Sequence, residues 1–431
     1  MNYLKQLLII LLLNHSLYAV VGFGPGQTGY NNAVPKEFWT VKQLSDGKFM
    51  VVGDFGAANN SGSVIARFTE KGALDTTFGQ PLGYVNDDFD PGEDDKLLDV
   101  IETADHKFLA TGETGLDALI VKYNQHGVRD QGFWINGQIA FNFFLGGIDK
   151  FWQIHELPDG KIVVCGSTSE TNGKGLLVKR QFNGFPDDDF GTNSIVEFDG
   201  AVTFRGMFVF ENEKIVVVGH QRGASDNVII AKFNVNGSPD NTFGTTGLTV
   251  LNRNNGTAEG NAIRKTSDGK FIIVGRDGLN NGTGFIARFT AQGLLDTTFG
   301  TLSGLTLLTQ SYLFWDCIID QQERILAVGR TTANTQTSSG IIARFLPNGQ
   351  LDTTFGTGGY VMIDQVVVLR GVVLTQDQKI VVCGDGKDNK GHIISLLSEG
   401  TFDTDSAWNL KTYKKHSESI GKRLALLQSF R

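Results

Sequence analysis

The sequence predicts an all-β chain folded as a seven-bladed β-propeller of four-stranded antiparallel blades, closed by the N-terminal strand. Three observations carry that expectation. A glycine that ends a β-rich run recurs at Gly53, Gly112, Gly166, Gly219, Gly275, Gly329 and Gly384, in steps of 59, 54, 53, 56, 54 and 55 residues. A second marker, Gly-x-x-Asp, recurs at Gly72/Asp75, Gly127/Asp130, Gly184/Asp187, Gly237/Asp240, Gly293/Asp296, Gly349/Asp352 and Gly400/Asp403. No helical period separates the copies, so each unit has to bury its apolar faces as strands stacked on its neighbours.

Residues 1–19 read as a cleaved signal peptide. Lys5 supplies a basic start, Leu7 to Leu13 is an unbroken apolar run too short to span a bilayer, and Ala19 offers a small residue at the cut. The export it implies makes the mature protein secreted, periplasmic or displayed at the cell surface, with no transmembrane span. The propeller is expected over residues 20–408, with units near 38–86, 97–142, 151–199, 205–252, 261–309, 315–364 and 370–408. In the first unit Phe38 to Leu44 is a strand, Asp46-Gly47 a turn, and Lys48 to Val52 a second strand rich in residues that fit a pleated surface. A loop of variable length leads to a third strand, Val64 to Phe68. It turns where other units write Asn-Gly, at Asn183, Asn236 and Asn348, a strong tight-hairpin signal. A fourth strand, such as Gly359 to Ile363, follows the Phe-Gly pair.

The seventh unit has Ser406-Ala407 where five of the others have Phe-Gly, and it lacks a fourth strand of its own. Residues 20–34 are expected to supply it, because Phe23-Gly24 and the residues up to Tyr30 resemble Phe355-Gly356 and the residues up to Tyr360. Such pairing removes the open edge that an unfinished sheet would leave. Residues 409–431 form a basic tail with Lys411, Lys414, Lys415, Lys422, Arg423 and Arg431.

The formal charge of −8 argues against nucleic acid as a partner, since phosphate binding needs a basic surface. Cys165 and Cys383 stand at equivalent places in separate units, too far apart to pair, so the three cysteines read as small buried hydrophobes. The phrases DGKFMVVG (residues 46–53), IARF (65–68) and LDTTFG (74–79) resemble the bacterial delta-60 repeat family, whose members are thought to be β-propellers. The resemblance covers residues 22–408. It implies the fold and carries no catalytic residues.

The repeated Asp and its neighbouring Thr residues suggest a capped turn, and the basic residue of the third strand (Arg67, Lys122, Lys179, Lys232, Arg288, Arg344) is placed to pair with an Asp of its own or a neighbouring blade. Counting back nine residues from the basic residue of each second strand gives Trp39, Leu98, Trp152, Arg205, Asn261, Trp315 and Arg370 at the start of the first strands. First strands lie nearest a propeller's axis, so Trp39, Trp152, Arg205, Trp315 and Arg370 are the candidate ligand-binding residues, a mouth suited to sugars, peptides or anions. The acidic run holding Asp87, Asp88, Asp90, Glu93, Asp94 and Asp95 is a weaker candidate for Ca²⁺, without the spacing of a known calcium loop. No cofactor is otherwise expected.

Signatures of nucleophilic hydrolases, zinc proteases and phosphate loops are absent from the sequence. The expected function is a monomeric exported binding or scaffolding module that recognises a protein or glycan through variable loops or the axial mouth. The alternative is a carbohydrate-active hydrolase or lyase using axial carboxylates such as Asp99 and Asp316.

Overall fold

A computed structural model describes residues 35–404, apart from 57–60, 144–145, 169–172, 224–225, 253–256, 279–281 and 336, together with the strand Val21–Gly22. The predicted signal peptide and basic tail lie outside the described residues. Seven four-stranded antiparallel sheets make up the described chain. Blade 1 runs Pro35–Gln43, Phe49–Phe55, Gly62–Phe68 and Tyr84–Asp87, and blades 2 to 6 repeat that order. No described helix is long and apolar enough to cross a membrane.

Blade 7 contributes three strands from the C-terminal end, Val366–Leu374, Ile380–Gly386 and Gly391–Leu396. Its outer strand is Val21–Gly22, with Val21 opposite Ile393 and Gly22 opposite His392. The pairing residues therefore precede Phe23-Gly24, whereas the comparison with residues 355–360 sets the strand after that pair. The two chain ends meet in one sheet, so neither end can peel away without exposing a blade edge. Deleting residues 20–34, and with them both paired residues, is expected to lower the melting temperature of the whole ring; unchanged melting would count against this closure.

The core lies in the seams between blades. In each seam one face of a blade packs on the next, as where Val216, Val218, Val228 and Ile230 of blade 4 meet Phe271, Ile273, Phe285 and Ala287 of blade 5. Middle strands are apolar on both faces, which is why they read as Phe-Ile-Ile-Val or Ile-Val-Val-Val without alternation. Cys165, Cys317 and Cys383 are free and buried, and burial pushes the Cys317 thiol up to about 12.

The repeated glycine has a single steric cause. Each first strand carries a β-bulge, and the second-strand residue facing it is always that glycine, as in Phe38 opposite Gly53 and Phe204 opposite Gly219. A Cβ at Gly53 would sit 1.8 Å from Glu37 O, and one at Gly219 1.8 Å from Thr203 O. At the other five the backbone oxygen would be 1.8–1.9 Å away. The bulged strand's carbonyl leaves space for hydrogen only.

The phrase Asp-Thr-Thr-Phe-Gly joins neighbouring blades. In blade 6 Asp352 accepts Arg344 Nε at 2.7 Å and the amide and hydroxyl of Thr354 at 3.2 and 2.6 Å. Phe355 is then fully buried against the first and second strands of blade 7. Gly356 N–H donates across the seam to Glu399 O at 3.0 Å. The same bond runs from Gly79 to His126, Gly191 to Asn236, Gly244 to Gln292 and Gly300 to Asn348, and in the divergent second copy from Trp134 to Asn183.

In blades 1, 3, 4 and 5 both basic markers converge on the Asp of their own blade. Lys48 and Arg67 reach Asp75 at 3.1 and 2.8 Å, and Lys270 and Arg288 reach Asp296 at 3.2 and 2.9 Å. Burial alone would raise the Asp75 carboxyl, but its bonds to Thr77 and Lys48 outweigh that and hold it at about 2. The Arg67 guanidinium also covers the Phe78 ring at 5.0 Å. The motif is thus a latch in which an ion cluster aims one phenylalanine into the seam.

Candidate functional site: the propeller axis

The bulges that require glycine also decide what reaches the axis. The residue each bulge leaves unpaired is Trp39, Leu98, Trp152, Arg205, Asn261, Trp315 or Arg370. A bulge re-aims its extra residue out of the ladder, and seven bulges at one level make a ring. All seven line one hollow. Contacts among blades 1, 3 and 6, which share no seam, show that the hollow is axial: the Trp39 ring centroid lies 6.0 Å from Trp152 and 5.9 Å from Trp315, both edge to face.

The five residues singled out from the sequence therefore come together, and they fill the space they share. Arg370 Cζ stands 3.7 Å from the Trp39 centroid and 5.5 Å from that of Trp315. Arg205 Cζ lies 5.1 Å from Trp152 and 5.4 Å from Trp315. Cation–π pairs with rings removed from water are the stronger kind. The remaining cavity measures about 60 Å³. That is room for a few waters, against the ~300–1,000 Å³ of ordinary ligand pockets.

Both guanidiniums are also engaged by carboxylates. Arg370 Nη2 donates to Asp385 at 2.6 Å and Glu37 at 3.4 Å. Arg205 Nη1 donates to Glu259 at 3.1 Å and to Asn261 Oδ1 at 2.9 Å. Asp385 is pushed up to about 6, by burial first, with Arg370 working in the opposite direction and Glu37 adding to the rise. Asp54, in the equivalent place in blade 1, is pushed up to about 7 by burial and by Glu37. His220, its counterpart in blade 4, is pulled down to about 3 by burial and the nearby Arg205. These partners escaped the sequence reading. A signal for them exists: Glu37 and Glu259 stand two residues before ring positions, while Asp54, His220 and Asp385 each follow the repeated glycine.

Asp99 and Asp316 line the same hollow. Lys42 Nζ sits 3.0 Å from Asp99, whose other oxygen accepts Ile154 N–H. Arg264 Nη2 donates to Asp316 at 2.6 Å, and the amides of Cys317 and Val372 donate to the same carboxylate. Each carboxylate ties one inner strand to others, and the hollow between them is too small to seat a sugar ring.

In the acidic run, Asp87 is gripped by Arg129 from two nitrogens and by Tyr123 Oη at 2.7 Å. Asp94 accepts the amide and hydroxyl of Ser61, and Asp95 accepts the Phe89 amide. Asp88, Asp90 and Glu93 are exposed at the surface. Among the described residues no group of three or more His, Cys, Asp or Glu is placed to hold a metal ion.

Fold and latch together define a repeat β-propeller. Residues 44–78, 157–177, 212–243, 266–299 and 324–355 match the profile of a family described as a domain of unknown function (DUF5122) beta-propeller. No curated protein sequence matches. Among solved structures, virginiamycin B lyase from Staphylococcus aureus, as a catalytically inactive variant with quinupristin, is similar at a TM-score of 0.50 and 11% identity, over 88% of this chain and 99% of that one. Drosophila Plexin A in complex with Semaphorin 1b gives a TM-score of 0.46 and 10% identity, over 84% and 85%. The WD40 propeller domain of Doa1 gives 0.43 and 13%, over 84% and 97%. Identities this low speak to the fold alone.

Proposed function

We propose that this protein is an exported binding or scaffolding module that recognises a protein or glycan through the loops joining second to third strands. The observation that carries the reading is the filled axis: tryptophan and arginine side chains leave about 60 Å³ there, so a large ligand has to be met elsewhere. The seven second strands run in the same sense, so the ends of Phe49–Phe55, Ile162–Ser167, Ile325–Arg330 and Ile380–Gly386 from which the segments 54–62, 167–175, 330–340 and 385–391 depart share one face. These segments differ in length and composition while the strands and latches repeat, and variable loops on a rigid scaffold are where recognition is usually placed.

The test is a glycan and peptide array probed with the purified protein. Binding without turnover, lost when residues 331–339 are replaced by a Gly-Ser linker of equal length, is the expected result. Release of a cleaved product would favour a hydrolase or lyase instead. Retained binding after the loop exchange, with loss on substitution of Trp315, would move recognition to the axis.

A further inference from the structure

Six seams are closed by a latch phenylalanine: Phe78, Phe133, Phe190, Phe243, Phe299 and Phe355 are each at most 1% exposed. Each packs against the first residue of the next blade's second strand or its neighbours, as Phe78 does on Phe108 at 5.8 Å and Phe243 on Phe271 at 6.2 Å. Among the described residues the cluster between blades 7 and 1 holds Phe49, Val381 and Ile393 and no latch phenylalanine. Ser406 holds that place in the sequence, and Ser395 holds the place of the third-strand cation.

At this seam the surface opens into a groove of about 680 Å³, on the face that carries the first-to-second and third-to-fourth turns. Its apolar part is Leu44, Phe49 and Val381, and its rim includes Lys71, Lys379 and Asp403. The chain enters it in register. Asp403 N–H donates to Ser395 O as Asp352 N–H does to Arg344 O, and Leu396 bridges Phe402 as Phe345 bridges Leu351. Lys379 Nζ meets Asp403 at 2.9 Å. The seventh latch is therefore built as far as its ion pair, and the residues that follow are Asp405-Ser406-Ala407-Trp408.

We propose that residues 405–408 of the same chain occupy this groove, with Trp408 as the wedge that replaces the missing phenylalanine. Trp408 lies five residues beyond Asp403, a reach of about 16 Å when extended, so the indole can pass the phenylalanine position and still turn onto Phe49. By register Ala407 takes the place of the latch glycine and its N–H is directed at Lys71 O, the residue before the Gly72 turn, as Gly356 N–H is at Glu399 O. The ring then closes twice, by an N-terminal strand at the outer edge of blade 7 and by a C-terminal latch at its seam.

Two measurements on the full-length chain test this. In the first, Trp408→Ala lowers the melting temperature by about 3 °C or more while Trp408→Phe retains most of it. In the second, the pair Lys71→Cys and Ala407→Cys forms an intramolecular disulfide under mild oxidation, the three native thiols being buried. Unchanged melting of the alanine variant with no cross-link overturns the proposal. A cross-linked dimer overturns it in favour of a second copy's C-terminal segment.

Discussion

Gly219→Ala is expected to destabilise the protein by about 3 kcal/mol or more, the range in which overpacking against rigid backbone falls. The new Cβ would lie 1.8 Å from Thr203 O and 2.8 Å from Thr203 C, and no rotamer change can relieve contacts made by backbone. The strands have to part, which breaks the bulge pairing of Phe204 with Gly219 and shifts Arg205, the residue that bulge turns to the axis. Loss is expected in the urea midpoint and also in the fluorescence of the axial tryptophans, since Arg205 stacks on Trp152 and Trp315. Gly132→Ala is the control. Its nearest neighbour is the Asp130 side chain at 3.3 Å, and its effect should stay within about 0.5 kcal/mol. Equal midpoints for the two variants would refute the steric account of the repeated glycine.

Arg370→Ala should cost about 3–5 kcal/mol at pH 8, the usual penalty for leaving one member of a buried ion pair alone. It should cost distinctly less at pH 5. The sign follows from Asp385, whose carboxyl is raised by burial to about 6 in the folded protein, above its unfolded value. A group raised in this way contributes stability that is complete below the unfolded value and is lost as pH climbs through the folded one. With Arg370 present, the ionised form is partly compensated at 2.6 Å. Without it, the ionised Asp385 and Glu37 repel each other with less compensation, while at lower pH a proton on Asp385 does part of the guanidinium's work. Asp54, raised to about 7 by burial and by Glu37, also interacts with Arg370 and Asp385 and adds a pH slope of the same sign. Urea denaturation at the two pH values measures the cost, and Arg370→Ala/Asp385→Asn should recover much of the loss at pH 8. A cost independent of pH would show that Arg370 acts through stacking on Trp39 alone.

Much of this was legible in the chain because repetition multiplies weak signals. One Gly-x-x-Asp says little, while seven at a nearly regular spacing require a single structural cause. The cause itself was less visible: that the glycine ending each second strand's apolar run faces a bulge, and that Asp-Thr-Thr-Phe-Gly ties its blade to the next, are facts about chain segments some 15 to 50 residues apart. The ring positions Trp39, Trp152, Arg205, Trp315 and Arg370 were found by counting alone, because a bulge at one register in every blade sends the same position to the axis. Their consequence was not countable. Three indoles on separate blades look alike in sequence whether they rim an open mouth or stack edge to face across it.

The sequence by itself determined the number of blades, the strand order within them and the residues that face the axis, since periodicity and local turn chemistry are written in consecutive residues. The tertiary structure alone decided that the axis is filled and that Arg205 and Arg370 are held by Glu259 and Asp385. Those outcomes depend on distances between side chains brought together only when the ring closes, and no local pattern encodes how much space closure leaves.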